Sequence, residues 1–96
     1  MSVTSLLELN IKPERLSDAD RIIDETLATT RAFAGNLGCT VAVDTEDPTH
    51  YVIVERWESL EADDAYRAFR ATPEGANQLG EIASGRKLVR YTDVSS

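Results

Sequence analysis

The sequence predicts an α+β fold: a ferredoxin-like, split βαβ sandwich in which a four-stranded antiparallel sheet carries helices on one face. Three observations lead to this prediction. Some segments alternate apolar and polar residues, as strands do, whereas the segments between them repeat apolar residues every three to four positions, as helices do. The resulting element order is β-α-β-β-α-α-β. A chain of 96 residues is also long enough for one domain, residues 1–96, and too short for two.

The first half of the chain is predicted to form a strand, a long helix and a second, short strand. Residues 3–12 alternate between two faces, and Pro13 ends this strand. Ser17 is a typical helix N-cap, and the helix that follows extends for about four to five turns before Gly35. Residues 40–44 then form the short strand.

The second half is predicted to form two strands separated by two helices. Residues 51–57 have the strongest strand pattern in the sequence. Ser59 caps the second helix, and the Thr-Pro-Glu sequence at residues 72–74 is typical of the start of a third, short helix. Residues 88–94 form the last strand.

The second helix is expected to be amphipathic. Its buried stripe is predicted to consist of Leu60, Ala65, Tyr66 and Phe69. Its solvated side is predicted to consist of charged residues, namely Glu61, Asp63, Asp64, Arg67 and Arg70.

One layer of helices cannot cover both faces of the predicted sheet. Either Val52 and Val54 or Leu7 and Leu9 must therefore lie on the face without helices. Monomeric proteins rarely expose a contiguous apolar surface of that kind. The sequence therefore predicts a homodimer in which two sheets pack face to face.

The composition disfavours several classes of function. With 17 acidic and 10 basic residues, the net charge is −7, which is unsuited to binding nucleic acid. No apolar run approaches the roughly 18 residues of a membrane span. A single cysteine, Cys39, and a single histidine, His50, provide neither a disulfide nor a zinc site. We expect a soluble cytoplasmic protein without a nucleic-acid or membrane partner.

Short motifs follow one another in a recognisable order: Arg31 at the end of the first helix, Gly38-Cys39 at the second strand, Asp47-Pro48 in a turn, and Glu55-Arg56-Trp57-Glu58-Ser59 from strand into helix. This order resembles the antibiotic biosynthesis monooxygenase (ABM) domain family, which has the dimeric α/β barrel fold. The resemblance covers nearly the whole chain. It implies a dimer formed through the sheets and a pocket between the sheet and the helices.

The resemblance also implies a function. Some family members oxidise aromatic polyketides with molecular oxygen and without metal or flavin, and others degrade haem with a histidine ligand on the second helix. This sequence has Tyr66 at that position. We therefore expect a monooxygenase with no cofactor and no metal, acting on a small hydrophobic, aromatic or polyketide-like molecule. The alternative is a non-catalytic small-molecule-binding or stress-related dimeric protein of the same fold.

Seven residues are candidates for the site of such an enzyme. For catalysis, Tyr66 would donate a hydrogen bond to the developing oxyanion, and Glu55 or Glu8 would accept a proton. The expected substrate-binding residues are Trp57 as a flat wall, Asn10 as an orienting group, Tyr51 and Phe69.

Structural roles are equally open for these residues. Trp57 would be a residue of the hydrophobic core, and Tyr66 would be a core residue whose hydroxyl is hydrogen-bonded within the protein. Glu55 would be locked in an ion pair with one of three arginines, Arg31, Arg56 or Arg90.

The remaining polar and reactive residues are expected to have structural roles. His50 is predicted to be a solvated turn residue, and Cys39 a small buried side chain. Arg86, Lys87 and Arg90 are expected to form a solvated strand edge, with binding of a substrate carboxylate as the alternative.

Overall fold

The computed structural model describes residues 1–95. Its first half contains strand β1 (Val3–Ile11), a short 3-10 helix (Pro13–Arg15), helix α1 (Leu16–Ala32) and strand β2 (Asn36–Val43). β2 begins earlier than predicted because Gly35, at φ +89°, turns the chain from the helix directly into the sheet. This turn has no space for a side chain, since a Cβ atom on Gly35 would lie 2.6 Å from the Cβ of Ala62.

The second half contains strand β3 (His50–Trp57), helix α2 (Leu60–Arg70), helix α3 (Leu79–Ile82) and strand β4 (Ala83–Thr92). The predicted N-cap of α2 is confirmed, because the Ser59 side chain accepts a hydrogen bond from the N–H of Ala62 at 3.1 Å. Within residues 1–95, none of the helices combines the length and the apolar character that crossing a bilayer requires.

The predicted third helix is wrong at its start. The Thr72 hydroxyl donates to the Phe69 carbonyl at 2.6 Å and accepts from the N–H of Gly75 at 3.2 Å. These bonds fix a turn instead of a helix, as threonine side chains do when they compete with the helical backbone. Only the single turn of α3 remains, and β4 accordingly begins at Ala83 instead of at residue 88.

The four strands form one antiparallel sheet in the order β2-β3-β1-β4. The register pairs Leu7 of β1 with Ile53 of β3 on one side and with Leu88 of β4 on the other. The helices pack against one face of this sheet. The predicted ferredoxin-like α+β architecture is therefore confirmed.

The face that carries the helices buries two apolar clusters. The larger consists of Leu7, Leu9, Ile11, Ala19, Ile22, Ile23, Leu27, Ile53, Leu79 and Ile82. The smaller consists of Val3, Trp57 and Tyr66, with Phe33 and Ala62 packed against it. Each fully buried large aliphatic side chain contributes about 1.5–3 kcal/mol relative to an exposed one. These clusters are therefore the main source of stability.

The opposite face of the sheet, which we name the open face, has no helix of residues 1–95 packed on it. Its half-buried apolar residues are Leu6, Val52, Val54 and Val89. Leu6 lies between Val54 and Val89 in the register, so these side chains form one continuous patch. The two valines of β3, and not Leu7 and Leu9, therefore lie on the uncovered face.

His50 is the first residue of β3 and bridges two carboxylates on the open face. Its Nδ1 lies 3.1 Å from Asp44 Oδ2, and its Nε2 lies 3.1 Å from Glu8 Oε1. This corrects the prediction of a solvated turn residue. Hydrogen bonds to Asp44 and then to Glu8 raise the pKa of His50 above its usual value of 6.5.

The raised pKa of His50 predicts a pH dependence of stability. Folding favours the charged imidazolium, so this contribution is complete below about pH 6.5 and is lost as the pH rises through the raised pKa. We expect Tm to fall by about 1–3 °C over this range, because exposed ion pairs contribute little. Calorimetry between pH 6 and 9 measures the change, and His50→Gln is expected to abolish it. An equal fall in His50→Gln would contradict the assignment.

Candidate functional site

A cavity of about 420 Å³ lies between the helices and the sheet. Its apolar lining comes from Leu7, Leu27, Ile53, Leu79 and Leu88. Its principal polar groups are Glu55, Tyr66, Arg67, Arg70 and Arg86. Ligand sites combine an apolar lining with a few convergent polar groups in volumes of about 300–1,000 Å³. The cavity therefore has the size and composition of a small-molecule site.

Helix α2 supplies most of these polar groups, and the predicted buried face of this helix is correct only in part. Tyr66 is buried and Phe69 is half-buried, but Leu60 and Ala65 are exposed. The inward side instead carries residues spaced i, i+3, i+4 and i+7, which share one face of a helix. These residues are Asp63, Tyr66, Arg67 and Arg70.

Glu55 is buried at the cavity and is bonded through only one of its carboxylate oxygens. Oε1 accepts a hydrogen bond from Arg67 Nη2 at 2.6 Å and another from Trp57 Nε1 at 3.3 Å. Within residues 1–95, Oε2 accepts no hydrogen bond. The ion pair expected for Glu55 as a structural role is therefore present, but its partner is Arg67 and not Arg31, Arg56 or Arg90. Arg56 lies on the open face, and the other two bond elsewhere.

Asp63 is a second carboxylate beside Arg67. It is buried, and its Oδ2 accepts a hydrogen bond from the Ser5 hydroxyl at 2.7 Å. Its Oδ1 lies 2.9 Å from Arg67 Nε without the alignment of a hydrogen bond, and its Oδ2 lies 3.6 Å from Arg90 Nη1. Arg67 is therefore held between two carboxylates, those of Asp63 and Glu55.

The Tyr66 hydroxyl is held by two neighbours. It accepts a hydrogen bond from Arg70 Nε at 2.7 Å, and it lies 2.6 Å from Thr30 Oγ1, where either oxygen is able to donate. Thr30 Oγ1 also lies 3.1 Å from the Thr26 carbonyl, so its single proton goes either to that carbonyl or to Tyr66. The Tyr66 proton is available to a third group only when Thr30 donates to Tyr66, and otherwise Tyr66 donates to Thr30.

Arg70 is fixed by neutral acceptors. Besides Tyr66, its guanidinium donates from Nη2 to the Thr26 carbonyl at 2.9 Å and to Thr30 Oγ1 at 3.1 Å, and from Nη1 to the Gly75 carbonyl at 3.1 Å. Gly75 packs against the end of α2, where a Cβ atom would collide with the Phe69 carbonyl. The loop after α2 therefore closes tightly over this arginine.

The family model for antibiotic biosynthesis monooxygenases matches residues 2–81 of this sequence. The chain belongs to the antibiotic biosynthesis monooxygenase family. The resemblance carried by the short motifs is thus confirmed. No functionally curated protein matches the chain at a significant level.

Solved structures share the fold of this ABM-family chain at low identity. A crystal structure of an antibiotic biosynthesis monooxygenase is 23% identical with a TM-score of 0.81, and the match covers 97% of this chain and 99% of the other. A protein from Mycobacterium tuberculosis is 20% identical with a TM-score of 0.82 and coverages of 100% and 98%. A mutant of SnoaB, a cofactor-independent oxygenase from Streptomyces nogalater, is 16% identical with a TM-score of 0.82 and coverages of 99% and 95%.

Trp57 of this ABM-family chain lies in the core and not on the wall of the cavity. It is completely buried in the smaller apolar cluster. Its ring centroid lies 4.9 Å from that of Tyr66 and 6.2 Å from that of Phe33. Tryptophan therefore contributes packing area and a hydrogen bond to Glu55, while Tyr66 separates it from the cavity.

Glu8 and Asn10 lie on the open face, on the other side of the sheet from the cavity. The reason is the alternation of side chains along β1, which directs Leu7 and Leu9 to the helices. Neither residue is part of the lining of the cavity.

Tyr51 and Phe69 also lie outside the lining of the cavity. Tyr51 donates from its hydroxyl to Asp20 Oδ1 at 3.2 Å, beside a separate surface groove. Burial, followed by the charge of Asp20, raises the pKa of this phenol. Phe69 packs against Phe33 with ring centroids 5.3 Å apart. Of the seven predicted residues, the cavity brings together Glu55 and Tyr66.

Residues 1–95 give little support for a metal site or for a reactive cysteine thiol. Among residues 1–95, no three His, Cys, Asp or Glu side chains are arranged to hold a metal ion. Cys39 is half-buried, and burial is the main cause that raises the pKa of its thiol. A thiol of this kind is a poor nucleophile.

Proposed function

We propose that this ABM-family protein is a cofactor-independent monooxygenase that oxidises a small aromatic, polyketide-like molecule in the cavity. The observation that supports this most directly is Glu55, a buried carboxylate whose Oε2 accepts no hydrogen bond from residues 1–95 at a cavity of about 420 Å³ with a mixed apolar and polar lining. Such a carboxylate is suited to accepting a proton from a bound substrate.

The proposed reaction needs a proton acceptor because the substrate itself must reduce dioxygen. Loss of a proton from an activated CH₂ group gives a carbanion, which is also an enolate or phenolate. This electron-rich species transfers electrons to dioxygen. One oxygen atom remains on the carbon as a carbonyl, and the other leaves as water. The protein would contribute the removal of the proton and hydrogen bonds that stabilise the anion.

Glu55 and Tyr66 would have different roles in this reaction. Arg67 and the Trp57 N–H fix Oε1 of Glu55, which leaves Oε2 to take the proton. Tyr66 would donate its hydroxyl proton to the oxyanion that forms, and the adjacent Arg70 would add positive charge. Both groups are placed before the substrate arrives, so little reorganisation is needed.

Oxygen uptake by metal-free protein with an anthrone as substrate tests this function. We expect Glu55→Gln to lower the rate by about a hundredfold or more, and Tyr66→Phe to lower it by about tenfold or more. Glu58→Gln, on an exposed residue next to the same strand, is the matched control and should retain full activity. Circular dichroism verifies that each variant is folded.

Three results would contradict the proposal. The first is loss of activity on addition of a chelator. The second is an undiminished rate in both Glu55→Gln and Tyr66→Phe. The third is saturable binding of the anthrone without any oxygen uptake, which would favour the alternative of a non-catalytic binding protein.

We propose in addition that two copies pair through their open faces. The support is the continuous apolar patch around Leu6, Val54 and Val89, which has no cover within residues 1–95. Light scattering at micromolar concentration should give twice the mass of the 96-residue chain. Val54→Glu is expected to give the mass of one chain, whereas a wild-type monomer would contradict the pairing.

A further inference from the structure

The charge around the cavity is opposite to that of the whole chain. The chain has a net charge of −7. The lining nevertheless includes three guanidinium groups, Arg67, Arg70 and Arg86, against one carboxylate, Glu55. An excess of positive charge in the cavity of an acidic protein indicates that the occupant is negative.

Only one of these arginines has its charge neutralised within residues 1–95. Arg67 lies 2.6 Å from Glu55 Oε1 and 2.9 Å from Asp63 Oδ1. Arg70 instead gives its four hydrogen bonds to two hydroxyls and two carbonyls, none of which carries a charge. Among residues 1–95, one N–H of its Nη1 has no acceptor, because that nitrogen donates only to Gly75.

Arg86 is the second uncompensated cation. It lies on the exposed edge strand β4, beside Leu88 in the cavity lining. Among residues 1–95 it forms no ion pair and no side-chain hydrogen bond. The exposed guanidinium of Arg86 on one wall therefore accompanies the fixed guanidinium of Arg70, and both line the same cavity. Arginine recognises planar carboxylates particularly well.

We propose that the ligand of this cavity is an amphipathic carboxylate: an aromatic body that packs against Leu7, Ile53 and Leu88, with an acid group that pairs with Arg70 and Arg86. This deepens the proposed function and rests on the same cavity. Binding, however, does not require turnover. Because Arg70 is already held by its neighbours, it loses little conformational entropy when the carboxylate arrives.

The test compares two probes of the same shape, anthraquinone-2-carboxylate and anthraquinone-2-carboxamide. Both are already oxidised at the central ring, so neither is a substrate for the proposed reaction. Titration calorimetry at low salt should show that the carboxylate binds about tenfold or more tightly than the carboxamide. Arg86→Gln should reduce this preference to about threefold or less, and Arg86→Lys should retain part of it.

Lys87→Gln is the matched control. It removes the same charge from the next residue of β4, whose side chain lies on the open face opposite Glu8. The preference for the carboxylate should remain unchanged in this variant. Arg70→Gln should also lower the preference, provided that circular dichroism shows it to be folded, and Arg86→Gln decides the matter if it is not.

Equal affinity for the two probes would overturn the inference, as would the absence of binding by either at millimolar concentration. The same loss of preference in Lys87→Gln and Arg86→Gln would also overturn it, since the effect would then come from overall charge. Preferential binding of the carboxylate by a protein that takes up no oxygen with any anthrone would uphold the inference and reject the monooxygenase function.

Discussion

Replacing Asp63 with alanine is expected to lower the free energy of unfolding by about 3–5 kcal/mol. The Asp63 side chain is 0% exposed, and it lies 2.9 Å from Arg67 and 3.6 Å from Arg90. Its removal leaves Arg67 with one carboxylate partner and leaves the Ser5 hydroxyl without the acceptor it now has. Arg67 keeps Glu55 and Arg90 keeps Asp64, so the loss comes from the weakened ion pairs around Asp63 and from the buried Ser5 hydroxyl.

The neighbouring residue provides the control for this experiment. Asp64 also forms an ion pair with Arg90, at 2.6 Å, but its side chain is 58% exposed. We expect Asp64→Ala to cost less than about 1 kcal/mol, because exposed ion pairs contribute little. Urea denaturation of both variants gives the comparison. Similar losses in the two variants would show that burial does not determine the importance of these aspartates.

Replacing Trp57 with alanine is expected to lower the free energy of unfolding by about 3–5 kcal/mol as well. The indole is completely buried between Val3, Phe33 and Tyr66, and its N–H donates to Glu55. The surrounding rings do not refill a cavity of this size, because their contacts fix one another. Thermal and urea denaturation measure the loss.

Trp57→Phe separates the structural role of this residue from a role in binding. It keeps most of the buried area but removes the hydrogen bond to Glu55, so we expect a loss of about 1–2 kcal/mol. In the folded variant, the affinity for a cavity ligand should stay within about threefold of the wild type. A large loss of affinity with unchanged stability would instead place the indole against the ligand.

Strand faces were predictable from the sequence because alternation along a strand leaves only two choices. Leu7 and Glu8 were assigned to different faces, and so were Glu55 and Arg56, and the structure places them accordingly. The order of the elements predicted the ferredoxin-like topology, and the resemblance to the family, confirmed by the family match, agrees with it. Alternation does not determine which face of the sheet packs against the helices, since both faces of β1 and β3 carry apolar residues.

The polar side of α2 was predicted incorrectly because hydrophobicity alone decided which face is buried. Asp63, Arg67 and Arg70 are charged, yet each is partly or wholly removed from solvent by partners on other elements. Their spacing with Tyr66 was visible in the sequence. The sequence did not show which residues would pair with them, because the partners Ser5, Glu55 and Thr26 lie on other elements.

The two faces of strand β1 lie in different environments, and this limits insertions and deletions within the strand. Its odd-numbered residues belong to the core and its even-numbered residues to the open face, within the same nine-residue segment. Deleting one residue near Leu6 would rotate every later side chain of the strand to the other face. Glu8 and Asn10 would then enter the aliphatic core, while Leu9 would leave it. A single insertion or deletion in this strand therefore disturbs both faces of the sheet at once, whereas a substitution disturbs only one.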